Sequence, residues 1–145
     1  MRLTKHTDYS LRVLVYLGVR PGRVATIEEV ADAYTISRNH LMKVVHRLAT
    51  HGIVETQRGR HGGFRLARDP SAIGLGAVVR ITEPDFAVVE CMDPHGDGCV
   101  IYGSCALRGA LHDATNAWFA VLDRYTLADL VERQTELAEL LQISG

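Results

Sequence analysis

Apolar side chains recur at Leu11, Leu14, Val15 and Leu17, a mostly helical spacing that predicts a first helix over 7–19. Gly18 and the Pro21-Gly22 pair mark its end. Thr26 stands three residues before Glu29, a capping-box pattern that opens a second helix running to about Tyr34. After a short turn, Ser37 is placed to cap a third helix, which carries Leu41, Val44, Val45 and Leu48 on one side and runs to about Thr50, before Gly52. Two extended runs, 53–58 and 64–68, flank a glycine-rich tip and predict a β-hairpin. Residues 73–82 form another short helix, which Pro84 ends.

Beyond it, 91–105 holds Pro94, Gly96, Gly98 and Gly103 and is expected to be a loop. From Ser104 a helical stripe returns through Leu107, Ala110, Leu111, Ala114, Trp118, Val121, Leu122 and Tyr125, about six turns long. Thr126 with Asp129 then caps a single last helix bearing Leu127, Leu130, Val131, Leu137, Leu140 and Leu141.

This order predicts a mainly α protein with a small β-hairpin wing: a winged helix-turn-helix domain over 1–68 and a linker with a short helix over 69–90. A cysteine-bearing loop over 91–105 follows, then a long dimerisation helix with a C-terminal helix over 104–145. A long amphipathic helix in so short a chain needs a partner surface, and a second copy of itself supplies one.

With 145 residues, 47% of them hydrophobic and 23% charged, the chain has the make-up of one ordinary globular domain. Its net charge of −1 hides a division. Residues 1–68 hold 12 Lys/Arg against 5 Asp/Glu, and residues 69–145 hold 4 against 12. A basic half joined to an acidic one suggests nucleic-acid binding in the first and another task in the second. No stretch has the length of a membrane span, and three clustered cysteines argue against a secreted disulfide framework, so a cytoplasmic location is expected. Phosphate-cradling loops and nucleophile-elbow motifs are absent, which argues against an enzyme.

The third helix turns Asn39, Lys43 and His46 away from its apolar side, flanked by Arg38, Met42 and Arg47, with Ser37 and His40 at its start. Such a face suits the major groove of double-stranded DNA, where Asn pairs with adenine and Arg or Lys with guanine or phosphate. Within 38–68 there are seven Lys/Arg and one acid, Glu55. The wing adds Arg58, Arg60, His61 and Arg65 around Gly62 and Gly63, whose bare backbone allows close approach to phosphate.

Cys91, Cys99 and Cys105 are separated by seven and five residues. Zinc sites favour closer pairs, while widely spaced thiolates on a glycine-rich loop suit an iron–sulfur cluster. Free or disulfide-forming thiols stay open as an alternative at this point.

Leu3-Thr4, Thr7-Asp8-Tyr9-Ser10-Leu11-Arg12, Ile36-Ser37-Arg38-Asn39-His40-Leu41-Met42-Lys43-Val44 and the wing Arg58-Gly59-Arg60-His61-Gly62-Gly63-Phe64-Arg65-Leu66 resemble the Rrf2 family of bacterial transcription regulators. The three-cysteine loop before a long helix matches as well. The resemblance spans nearly the whole chain. It implies a homodimeric winged-helix repressor whose 91–105 loop binds an iron–sulfur cluster. Members with a 2Fe–2S cluster carry His three residues after the last cysteine; here Arg108 stands there, so the nitric-oxide-sensing branch is the better match. One departure is the first cysteine interval, longer than is usual in the family.

The branch implies a 4Fe–4S cluster on Cys91, Cys99 and Cys105 with one ligand that is not a thiolate. Asp8, Asp93, His95, Asp97 and His112 are the candidates for it, and the resemblance favours Asp8 from the other subunit. The expected function is release of a palindromic operator when nitric oxide nitrosylates the cluster. The alternatives are a regulator of the same type sensing iron, oxygen or cluster status, and a metal-free thiol switch.

Overall fold

A computed structural model describes residues 2–60, 62–93 and 99–143. The elements run α1 (Lys5–Val19), α2 (Ile27–Tyr34), α3 (Arg38–Thr50), β1 (Val54–Gln57), β2 (Gly63–Leu66), α4 (Leu75–Thr82), α5 (Ala106–Leu122), α6 (Leu127–Leu130) and α7 (Gln134–Leu140). Short 3-10 turns occupy Pro70–Ala72, Glu90–Met92 and Tyr102–Ser104.

Helix α1 starts earlier than its apolar spacing predicts, because Thr4 caps it: the Thr7 N–H donates to Thr4 Oγ1 at 3.3 Å. It ends at Val19, as its sequence predicts, but Gly18 has a second role. That role is packing. A Cβ there would stand 3.1 Å from Val131 Cγ1 and 3.3 Å from Leu127 Cγ, so the bare position lets α6 close onto α1.

The capping box at α2 forms as its spacing predicts: the Glu29 N–H donates to Thr26 Oγ1 at 3.2 Å and the Thr26 N–H to Glu29 Oε2 at 2.6 Å. Thr35, in the left-handed region at φ 54°, ends α2 and delivers the chain to Ser37, which caps α3 through the His40 N–H. Helix α3 buries Leu41, Val44, Val45 and Leu48, the four residues its periodicity assigns to the core.

Strands β1 and β2 pair antiparallel, Val54 with Leu66 and Gln57 with Gly63. A third short rung comes from the segment before α2, where Ala25 and Phe64 exchange both backbone hydrogen bonds at 2.9 and 2.8 Å. The wing is thereby pinned to the helical body. Gly63 is required for this, since a Cβ there would lie 2.3 Å from the Ala25 carbonyl oxygen.

The core gathers around α1. Val13, Leu14, Leu17 and Val19 are buried against side chains from α2, α3, β2, α4, α6 and α7. Residues 127–143 contribute Leu127, Val131, Ala138 and Ile143 to that same core. The single last helix expected from the sequence is instead two, α6 and α7, with a break after Leu130. The break lets Leu127 and Val131 reach Gly18 of α1 while Ala138 and Ile143 join the same core. Helix α5 ends at Leu122 and leaves Tyr125 beyond its terminus. Only Phe119 of α5 is buried, and Leu107, Val121 and Tyr125 of the predicted stripe stay exposed.

Gly63→Ala is expected to break the Ala25–Phe64 rung and to destabilise the protein by about 1–3 kcal/mol. Urea unfolding of the variant against wild type measures it, with Gly74→Ala, where an added Cβ meets nothing and φ is −74°, as the comparison.

Candidate functional site

The outward face of α3 is as its sequence implies: Ser37, Arg38, Asn39, His40, Met42, Lys43, His46 and Arg47 are all exposed. They are not equally available. Arg38 Nη1 pairs with Glu28 Oε1 at 2.6 Å, an exposed ion pair that a phosphate can replace at little cost. Arg47 differs, because its Nε donates to the Ile81 carbonyl in the last turn of α4 at 2.8 Å. Among the described residues Lys43 has no ion-pair or hydrogen-bond partner, and Asn39 and His46 make no side-chain hydrogen bond. The ring of His40 leans on Tyr9 of α1, their centroids 6.0 Å apart.

On the wing, Arg65 pairs with Glu55 across the strands at 2.5 Å and lies within β2 rather than at the tip. Arg58 and Arg60 have no such partner among the described residues. His61 lies outside the described residues. Gly59, at φ 110°, makes the tip, and the Gly62 N–H closes it onto the Gly59 carbonyl at 2.9 Å. A Cβ on Gly62 would meet the Gln57 carbonyl oxygen at 2.6 Å, so this position needs glycine for its own turn. Among the described residues, the unpaired cations of this surface are therefore Lys43, Arg58 and Arg60, one on the helix and two on the wing.

Asp8 sits in the first turn of α1, half-exposed, and is held by Arg12: Nε donates to Oδ1 at 3.1 Å and Nη2 lies 2.9 Å from Oδ2. The Arg12 guanidinium also lies 5.9 Å from the ring centroids of both Tyr9 and Tyr34. Burial pushes the Tyr34 hydroxyl up to about 12, so it stays neutral beside this cation. Two residues before Asp8, His6 is held below the usual imidazole range by burial and by the charge of Arg47, against the opposite pull of Glu83.

The cysteines occupy three settings: Cys91 in the 3-10 turn Glu90–Met92, Cys99 exposed, and Cys105 at the N-cap of α5. All three are free thiols. His95 and Asp97 lie outside the described residues, and His112 accepts or shares a hydrogen bond with Asn116 at 3.1 Å.

Three observations bear on whether a cysteine-held cluster fits. Among the described residues no three Cys, His, Asp or Glu converge as a single-ion site, whereas a cluster presents separate irons to separate thiolates. The N-terminus of α5 has no side-chain cap, leaving its N–H groups favourable to negative charge. Arg108, one turn after Cys105, stacks 4.2 Å from the Tyr102 ring centroid and buries its Nε with no hydrogen-bond partner. A buried donor left unpaired costs about 1–3 kcal/mol, so an acceptor is expected there. It lines a cavity of about 390 Å³ with Met92, Gly109, His112 and Asp113. The donor set and its surroundings fit an anionic, thiolate-held cluster. Arg108 marks in the sequence only a missing His ligand; its buried donor becomes visible only in the fold.

The Rrf2 family profile, described as iron-dependent transcriptional regulator, matches residues 3–133. The chain is 51% identical over 144 residues to the HTH-type transcriptional regulator NsrR of Bacillus subtilis strain 168, covering 99% of each chain. It is 49% identical to the NsrR of Geobacillus kaustophilus, covering 98% of this chain and 97% of the relative. Among solved structures, CymR, the global cysteine regulator of B. subtilis, superposes with a TM-score of 0.70 at 25% identity, over 92% of this chain and 98% of that one. The fold also matches T. potens IscR, with a TM-score of 0.72 at 23% identity over 100% of this chain and 93% of that one.

Lys43→Ala is expected to weaken binding to a generic DNA duplex and to flatten the dependence of log affinity on log salt by about 0.9. Arg65→Ala, whose charge Glu55 already answers, leaves that slope unchanged. Fluorescence anisotropy at several salt concentrations separates the two.

Proposed function

Because the chain belongs to the Rrf2 family of transcriptional regulators, we propose that it is a cytoplasmic, homodimeric repressor. In this proposal Cys91, Cys99 and Cys105 hold a 4Fe–4S cluster, and the loaded protein binds a palindromic operator and releases it on exposure to nitric oxide. The observation that carries the proposal is the segment from Cys91 to α5: three free thiols, an uncapped helix N-terminus and a buried guanidinium N–H that lacks an acceptor. When bound, the cluster supplies an iron open to a small molecule, since an oxygen ligand such as Asp8 is hard and labile there. Arg108 in place of His supports the nitric-oxide-sensing branch over the 2Fe–2S one.

The chain's own residues do the rest. On each recognition helix Asn39 is placed for a base edge, and Lys43, Arg58 and Arg60 for phosphate. The apolar face of α5, with Leu107 and Val121 uncovered, supports pairing with a second copy, which brings two recognition helices to one palindrome. Asp8 has a rival partner on its own helix: Arg12 holds it in the structure, so a carboxylate freed from any other ligand has a ready seat. Tyr9, between them in the chain, touches His40 at the start of α3, so a change at Asp8 is felt next to the DNA-reading face.

The family's description as iron-dependent favours a second reading, in which the supply of iron or of cluster is the signal. Comparing release by air, chelator and nitric oxide at equal cluster loss distinguishes them.

The direct test is an anaerobic gel shift on a duplex selected from random sequence by the loaded protein. Nitric oxide sufficient to bleach the cluster absorption is expected to cut affinity at least tenfold; unchanged affinity sinks the proposal. Separately, Cys99→Ala purified anaerobically is expected to be colourless and low in iron and sulfide, and a full cluster spectrum in that variant refutes the ligand assignment.

A further inference from the structure

Residues 80–83 of the chain bond to three different helices. Arg80 clamps the C-terminal end of α5: its Nη1 and Nη2 reach Asp123 Oδ1 and Oδ2 at 2.5 and 2.8 Å. Its guanidinium lies 4.1 Å from the centroid of Phe119, the one buried residue of α5, and Phe86 meets that same ring edge-on at 4.6 Å. Gly76, one turn earlier on α4, makes room for the clamp, since a Cβ there would stand 2.0 Å from Asp123 Oδ1 and 2.9 Å from Arg80 Nη1.

The next residue, Ile81, has a carbonyl at the end of α4 that has no acceptor role within its helix, and Arg47 of α3 fills it. Thr82 is buried and turns its hydroxyl back onto the Val78 carbonyl, which keeps this turn of α4 closed. Glu83 then caps α1: the Thr4 N–H and hydroxyl donate to its Oε1 at 2.7 and 3.1 Å.

We infer that this last turn of α4 fixes the recognition helix relative to the cysteine-bearing half, and that Arg47 is a positioning residue acting through the Ile81 carbonyl rather than a phosphate contact. The inference rests on the proposal that α3 binds the operator. It departs from the sequence-based expectation for Arg47, whose exposed place on α3 marks it as a candidate DNA ligand. A shift of α5 pulls on Arg80, and the same rigid turn carries the pull to Arg47 and to the cap of α1.

The test uses full-length protein loaded with its cluster. Arg47→Met removes charge and donor but keeps length, and Gly76→Ala pushes the clamp apart from an element that no argument places on DNA. Both are expected to lower operator affinity by about threefold to thirtyfold with an unchanged salt slope. Both are also expected to shrink the affinity ratio between untreated and nitric-oxide-treated protein.

A DNA-free arm reads Trp118, the single tryptophan, which packs edge-on against Phe119 with centroids 4.9 Å apart. Its emission or acrylamide quenching is expected to change in Arg47→Met, although Arg47 is on another helix. If Gly76→Ala fails to fold by circular dichroism, Asp123→Asn opens the clamp instead. A salt slope flattened by about 0.9 in Arg47→Met, with the clamp variants neutral, overturns the inference and makes Arg47 a phosphate ligand. So does wild-type Trp118 behaviour in Arg47→Met. If wild-type protein binds no selected duplex, the functional proposal falls, and the Trp118 arm still decides the role of Arg47.

Discussion

Burial of α1 is the constraint on which the other features depend. Six other elements pack on it, and its middle and end are apolar: Val13, Leu14, Leu17 and Val19 are at most 3% exposed. A helix closed in on so many sides tolerates polar groups only where they are answered locally. Ser10, fully buried, accordingly donates to the His6 carbonyl at 2.8 Å, and Thr7 shares its hydrogen bonding with Thr4. The first turn is different. Asp8, Tyr9 and Arg12 are partly exposed there, at the one end of a central rigid rod where a side chain can change partners. Because interiors pack densely, a change at that end is not absorbed by local rearrangement.

The two oppositely charged halves do not pair extensively with each other among the described residues. Their ion pairs stay mostly at home: Glu28 with Arg38 and Glu55 with Arg65 in the basic half, Arg80 with Asp123 in the acidic one. These local pairs consume the acids that would otherwise shield the α3 and wing surface and leave Lys43, Arg58 and Arg60 unanswered. The cross-links between halves are few and neutral or single, Arg47 to the Ile81 carbonyl and Thr4 to Glu83. That is a suitable arrangement for two parts with different tasks that must still move together.

Features set by short-range chemistry were legible in the sequence. The Thr26–Glu29 box, the Ser37 cap, the buried face of α3 and the paired strands of the wing each depend on residues a few positions apart, and each is found. What escaped depends on contacts distant in sequence. Gly18 reads in the sequence as a terminator alone, because only the return of Leu127 and Val131 gives its missing side chain a second purpose. The split of the last helix had no proline or glycine to announce it; packing against α1 forces it. Arg47 and Lys43 are both cations on the exposed side of α3, and the sequence has no means of telling them apart. The difference is made by the carbonyl of Ile81, 34 residues away. The ion pair of Arg65 is invisible in the sequence for a related reason, since only the strand register puts Glu55 opposite it.

Under the proposed function, recognition of a palindrome adds a demand on these contacts. Two recognition helices must face successive major grooves at one separation, so each must be fixed in orientation to the element that joins the subunits. If α5 is that element, its apolar outer face sets where the two copies meet, while its hold on its own subunit decides where each α3 points. That hold is narrow. Phe119 is the one buried side chain of a 17-residue helix, and a bidentate ion pair stands beside it. A broad apolar contact would lock α5 in place, and a bare loop would let it drift. A single ring with a charged clamp is a narrow but defined attachment instead. The cysteine segment runs directly into the other end of the same helix at Cys105, so the thiol at the N-cap and the Phe119 attachment lie toward opposite ends of α5. The exposed apolar face of α5 and its thin attachment therefore go together: a helix held at one ring leaves the rest of its face for the second copy that the proposed function calls for.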